Sequence, residues 1–99
     1  MKKSEQDQFE VLRKINKKSD ITQRELSSTL GLSLGKINYC LNSLKEKGFI
    51  KIKNFTKSKN KLKYMYVLTP QGISEKTKIT INFMKQKMSE YEDLKKDLE

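Results

Sequence analysis

Between Ser33 and Gly48 the apolar residues Leu34, Ile37, Leu41 and Leu44 recur at steps of three and four, which places them on one face of a helix. Lys36, Tyr39, Asn42 and Ser43 look the other way. Ser33 can accept a hydrogen bond from a first-turn N–H, and Gly48 can take the left-handed conformation that ends a helix, with Lys45 and Lys47 near the negative end of its dipole. A helix so marked packs on one side and is free on the other, so the rest of the chain must supply the core beneath it. Two residues depart from the pattern. Lys36 puts a cation in the first turn, where the dipole favours an acid, and a polyanion bound there would account for it. Gly35 costs a helix about 1 kcal/mol relative to alanine, which close backbone approach to another helix or to that polyanion would justify. A tolerant surface position is the plainer reading of both.

The segments on either side define an arrangement of helices. Ser4, Glu5 and Asp7 open a first helix with acids where the dipole wants them, and Phe9, Val11, Leu12 and Ile15 form its buried face, ending near 16–19. Thr22 and Glu25 make a capping box, closed over by Ile21 and Leu26, and Leu30-Gly31 ends a short second helix. Leu32 and Ile37 flank Ser33 in the same staple relation. A short helix, a glycine-containing turn and a longer helix in direct succession make a helix-turn-helix.

Next, Phe49–Phe55 alternates Ile50 and Ile52 with Lys51 and Lys53, and Leu62–Thr69 alternates Tyr64 and Tyr66 with Lys63, Met65 and Val67, which predicts two strands of a hairpin around a polar basic turn. From Lys47 to Lys63 there are seven lysines and no acid. Directly after a helix-turn-helix, that run reads as a wing gripping a phosphate backbone.

Charge and composition narrow the function. Of the 99 residues, 1–69 hold sixteen Lys/Arg against six Asp/Glu, whereas 70–99 hold six against six, so the whole net charge of +10 lies ahead of Pro70 and implies a polyanionic partner. With no histidine and a single cysteine, the common metal sets and Ser-His or Cys-His nucleophilic pairs cannot be assembled within the chain. No enzyme, metal or cofactor is expected. Cys40, three residues after Ile37, reads as a small core residue, and a lone cysteine fits a reducing compartment. No apolar run is long enough for a membrane, so a cytoplasmic location is expected.

Thr69-Pro70 starts a last helix, with Leu68 against Ile73 as a third staple. Ile73, Thr77, Thr80, Met84, Lys87, Tyr91, Leu94 and Leu98 step by four and three, the spacing of a coiled coil. A helix of that length reaches roughly 40 Å, further than so small a domain can cover, so Ile73, Met84, Tyr91, Leu94 and Leu98 are the expected homodimer contacts. The expected fold is mainly α with a small β-hairpin: a winged helix-turn-helix over 1–69, followed by a long C-terminal dimerisation helix over 70–99.

Gln23-Arg24-Glu25-Leu26, Ser33–Gly48 and the run from Tyr66 to Gly72 together resemble the winged helix-turn-helix of MarR-type transcriptional regulators. The closer likeness is to the small members associated with extracellular polysaccharide (EPS) genes, carried by Ser33–Leu41, Asn54-Phe55, Ser58–Lys61 and Leu68–Ile73. The resemblance runs from about Phe9 into the last helix and implies a DNA-binding regulator. Most MarR-type proteins are longer and frame a ligand pocket with further terminal helices; this chain has one such helix, which argues against a small-molecule effector.

On this reading Lys36, Asn38, Tyr39 and Asn42 face the bases of double-stranded DNA. Ser33, Gly35, Ser43, Lys51, Lys53, Lys57, Lys59 and Lys61 contact its backbone. The rival is a winged-helix adaptor that binds protein without sequence-specific DNA recognition. A weaker third reading, single-stranded binding through Tyr64 and Tyr66, conflicts with their places in an alternating strand.

Overall fold

The computed structural model describes residues 2–56 and 62–99 and has the order α1 (Lys3–Lys17), α2 (Gln23–Leu30), α3 (Leu34–Glu46), β1 (Ile50–Thr56), β2 (Leu62–Leu68) and α4 (Pro70–Lys96). The strands pair antiparallel, with Ile50 opposite Leu68, Ile52 opposite Tyr66 and Thr56 opposite Leu62. This is the expected winged helix-turn-helix with a long C-terminal helix.

Each helix end has a local cause. α1 starts at Lys3 with Lys2 in the cap position and no side-chain cap bond, so Ser4, expected to open the helix, lies within its first turn. At α2 the Glu25 N–H donates to Thr22 Oγ1 at 3.0 Å, and the Thr22 hydroxyl donates to Glu25 Oε1 at 3.3 Å. Glu25 also meets Lys18 Nζ at 2.7 Å, and that hydrogen bond holds the Glu25 carboxyl below its ordinary pKa and the Lys18 ammonium above its own. Ser33 caps α3 by accepting from the Lys36 N–H at 3.1 Å.

Gly48, at φ 77°, ends α3 in a Schellman arrangement: its N–H donates to Lys45 O, and the Phe49 N–H donates back to Leu44 O. The cap at Ser33 carries a modest, measurable share of stability. Ser33→Ala is expected to cost about 1 kcal/mol, a Tm decrease of roughly 4–8 °C in a thermal melt. An unchanged Tm would mean that water satisfies the first turn equally well.

The core is one cluster: Val11, Leu12 and Ile15 of α1, Ile21 and Leu26 around α2, Ile37, Cys40, Leu41 and Leu44 of α3, and Ile50, Tyr66 and Leu68 from the base of the hairpin. Burial pushes the Cys40 thiol pKa up, and the nearby Asp7 carboxylate adds to the effect. Two expected inward residues are not covered. Leu34 is 48% exposed, because as the first residue of α3 it lies ahead of Ile37, the first covered position. Ile52 is exposed although Ile50 and its own cross-strand partner Tyr66 are buried, because the body covers this rung from the β2 side, where the Tyr66 N–H donates to Ser19 O at 3.0 Å.

α4 is joined to the hairpin base. The Thr69 N–H donates to Phe49 O at 3.0 Å, its hydroxyl donates to Gly48 O at 2.5 Å, and Thr69 Oγ1 in turn accepts the Gly72 N–H at 3.0 Å. The helix then runs past α1, with Thr80, Phe83 and Met84 lining a groove against Phe9 and Arg13. From Ile81 onward every residue of α4 is exposed, and the projecting helix stretches the molecule to 64 × 27 × 21 Å.

Candidate nucleic-acid interface

α3 presents a polar face because its apolar residues after Leu34 are used in the core. With Ile37, Cys40, Leu41 and Leu44 buried, the hundred-degree step of a helix turns Gly35, Asn38, Tyr39, Asn42 and Glu46 to the opposite side. All five are exposed, Tyr39 at 61%. Three of the four residues expected to read bases, Asn38, Tyr39 and Asn42, therefore share one open surface. Gly35 lies on it too, and a Cβ there would meet nothing within 4 Å. Packing against another helix is thus not the reason for that glycine.

The fourth expected reader sits elsewhere. Lys36 lies on the flank of α3 that faces α1, together with Ser43 and Lys47. Its ammonium is 3.7 Å from Asp7 Oδ2, so the negative partner that its first-turn position calls for is present within the chain. Ser43, expected on the DNA backbone, is half-buried and donates from its hydroxyl to Gln8 Oε1 at 3.3 Å, an oxygen that also accepts from Lys47 Nζ at 3.0 Å. The Ser33 hydroxyl is engaged in its cap. Asp7 and Gln8, both buried, were missed as partners of α3 because in the sequence Asp7 reads only as a dipole acid of its own helix.

On the hairpin, Lys51 and Lys53 are exposed on β1. Lys57, Lys59 and Lys61 lie outside the described residues.

The expected dimer contacts on α4 are all uncovered: Ile73, Met84, Tyr91, Leu94 and Leu98 are exposed, and so are Ile81, Phe83 and Met88. Thr80 is half-buried on the α1 side and donates to Lys76 O at 2.7 Å, while Lys87 pairs with Glu90 and lies 5.3 Å from the centre of the Phe83 ring. The exposed apolar line therefore runs through Thr77, Ile81, Met84, Met88, Tyr91 and Leu98. That register uses the same alternating steps of four and three, with Ile81 and Met88 in place of Thr80 and Lys87.

A cleft of about 260 Å³ opens between α1, the end of α3 and α4, lined by Phe9, Leu12, Leu44, Phe49 and Ile79 with Gln8 and Lys47 at its polar side. It is smaller than the pockets that usually enclose drug-sized ligands. No helix among the described residues is long and apolar enough to cross a membrane, and no group of three or more Cys, Asp or Glu among them is placed to hold a metal ion.

Residues 8–51 match the family model described as winged helix-turn-helix DNA-binding. A comparison with curated protein sequences found no match. Among solved structures, Streptococcus pneumoniae FabT in complex with DNA is similar at TM-score 0.65 and 23% identity over 87% of this chain and 58% of that one. Staphylococcus aureus MarR in complex with salicylate and kanamycin is similar at TM-score 0.60 and 24% identity, over 83% and 55% respectively. A Staphylococcus aureus MepR mutant bound to an oligodeoxyribonucleotide is similar at TM-score 0.63 and 20% identity, over 93% and 72%. At these identities the likeness is one of fold, and the chain spans less than two thirds of the FabT and MarR chains.

Proposed function

We propose that this chain is a dimeric, sequence-specific double-stranded DNA-binding transcriptional regulator of the MarR type, acting in the cytoplasm. The single observation that carries the reading is the open face of α3, where Asn38, Tyr39 and Asn42 stand side by side on a helix whose other face is core. α3 enters the major groove, where either asparagine suits an adenine edge. Lys51 and Lys53, with Lys57, Lys59 and Lys61 beyond them, contact phosphates beside the groove, and the excess charge of +10 supplies the attraction. FabT and MepR, which share this fold, have been solved with DNA, which supports the same use here. Residues 70–99 form the dimerisation arm through the exposed line of α4. The resemblance to EPS-associated regulators supports extracellular polysaccharide genes as targets, and transcript profiling after deletion of the gene checks it.

The test is selection of preferred duplexes from a random library, followed by salt titration of the selected and an unselected duplex. Alanine at Asn38, Tyr39 or Asn42 is expected to reduce discrimination between the two by about 1–3 kcal/mol per lost base contact, with the melting temperature preserved. Unchanged selectivity in all three variants removes α3 from the reading role. A wild-type protein that forms no sequence-selective complex at any salt points to the adaptor function instead.

A further inference from the structure

Asp7 is an unusual residue to find where it is. It lies in α1 and is 5% exposed, and its Oδ2 has no hydrogen-bond partner among the described residues. Two cations approach it: Lys3 Nζ of its own helix, 3.4 Å from Oδ1, and Lys36 Nζ of α3, 3.7 Å from Oδ2. The neighbouring Gln8 draws Ser43 and Lys47 to α1 in the same way, so the α1-facing flank of α3 is tied at its first turn, its middle and its end. A covered carboxylate that loses one cation is left with uncompensated charge, so Lys36 leaves Asp7 only at a cost. Its stem is on the surface, and its ammonium would otherwise be available to any nearby phosphate.

We propose that Asp7 is a specificity-determining residue, which holds Lys36 against α1 and so withholds one phosphate contact from non-specific duplex binding. The proposal rests on the DNA-binding reading above. Non-specific association is electrostatic throughout, so one further free lysine adds a whole phosphate contact to it. In the selected complex the base contacts of Asn38, Tyr39 and Asn42 already set the position of α3, and a loosened Lys36 gains less. Asp7 thereby lowers the background of binding to random sequence more than it lowers binding to the preferred one.

The test compares wild type, Asp7→Asn, Lys36→Gln and the double variant on a library-selected duplex and an unselected duplex of equal length, across a salt series. Asp7→Asn is expected to bind the unselected duplex about five-fold more tightly and to steepen its salt dependence by about one unit, the slope of one phosphate contact. The selected duplex should change by less than about two-fold, and the gain should vanish in the double variant. Equal gains on both duplexes, an unchanged slope, or weaker binding by Asp7→Asn would each overturn the proposal. If Asp7→Asn melts early, Asp7→Ser replaces it.

A measurement without DNA separates this idea from the reading beneath it. In mass spectrometry after brief acetylation, Lys36 should react several-fold faster in Asp7→Asn than in wild type, while Lys45 is unchanged. Equal Lys36 reactivity overturns the proposal. A wild-type protein that binds no duplex removes both the DNA reading and the proposal; one that binds while Asp7→Asn has no effect removes the proposal alone.

Discussion

Gly72→Ala is expected to destabilise the fold by about 3 kcal/mol and to lower Tm by roughly 10–20 °C. In a helix the exchange would ordinarily gain about 1 kcal/mol. Here a Cβ would lie 1.9 Å from Phe49 O and 2.8 Å from its carbon, a backbone carbonyl that cannot rotate aside. That oxygen accepts the Thr69 N–H, so moving it also strains the junction of the hairpin with α4. Circular dichroism melts check the effect, with Gly35→Ala as the control: it lies in open space on α3 and should raise Tm slightly. A Gly72→Ala protein as stable as wild type would mean that α4 can lift from the hairpin base at little cost. The relation between the hairpin and α4 would then be loose.

The second large effect concerns assembly. Met88→Glu combined with Tyr91→Glu is expected to convert dimer to monomer in light scattering. Affinity for a duplex with two inverted half-sites should fall by about 10²–10⁴-fold, while affinity for an isolated half-site holds, because the second contact no longer benefits from linkage. Both side chains are 64% exposed, so the folded monomer should be unaffected and its Tm at high dilution unchanged. Point changes suit this question better than cutting the chain after Lys78. Such a cut would also remove Ile79, Thr80 and Phe83, which line the surfaces shared with α1. A double variant that remains dimeric would assign the exposed line of α4 to another purpose.

These two cases also divide what can be read from residues in order from what cannot. The capping box at Thr22, the Ser33 cap, the Gly48 stop and the Thr69-Pro70 start are contacts within five residues, so their signals lie side by side in the chain. Periodicity did the same for the core: Ile37, Cys40, Leu41 and Leu44 must share a face in any helix of that sequence, which leaves Asn38, Tyr39 and Asn42 outside. The alternation in Ile50–Ile52 likewise predicts a strand, although how far the core reaches along it depends on where the body ends. The sequence by itself thus determined the order of elements, their ends and the open polar face of α3, because hydrogen-bond caps and helical or strand periods are local.

Tertiary structure alone decided the rest. Lys36 turns to Asp7, 29 positions away, and Ser43 and Lys47 turn to Gln8 across 35 and 39, pairings that no short-range pattern encodes. Gly72 is needed only because Phe49 lies against it, and the line on α4 runs through Ile81 and Met88 only because α1 takes the side where Thr80 lies. Such choices depend on which surfaces meet once helices of already determined length are packed into one core, and that geometry exists only in the folded chain.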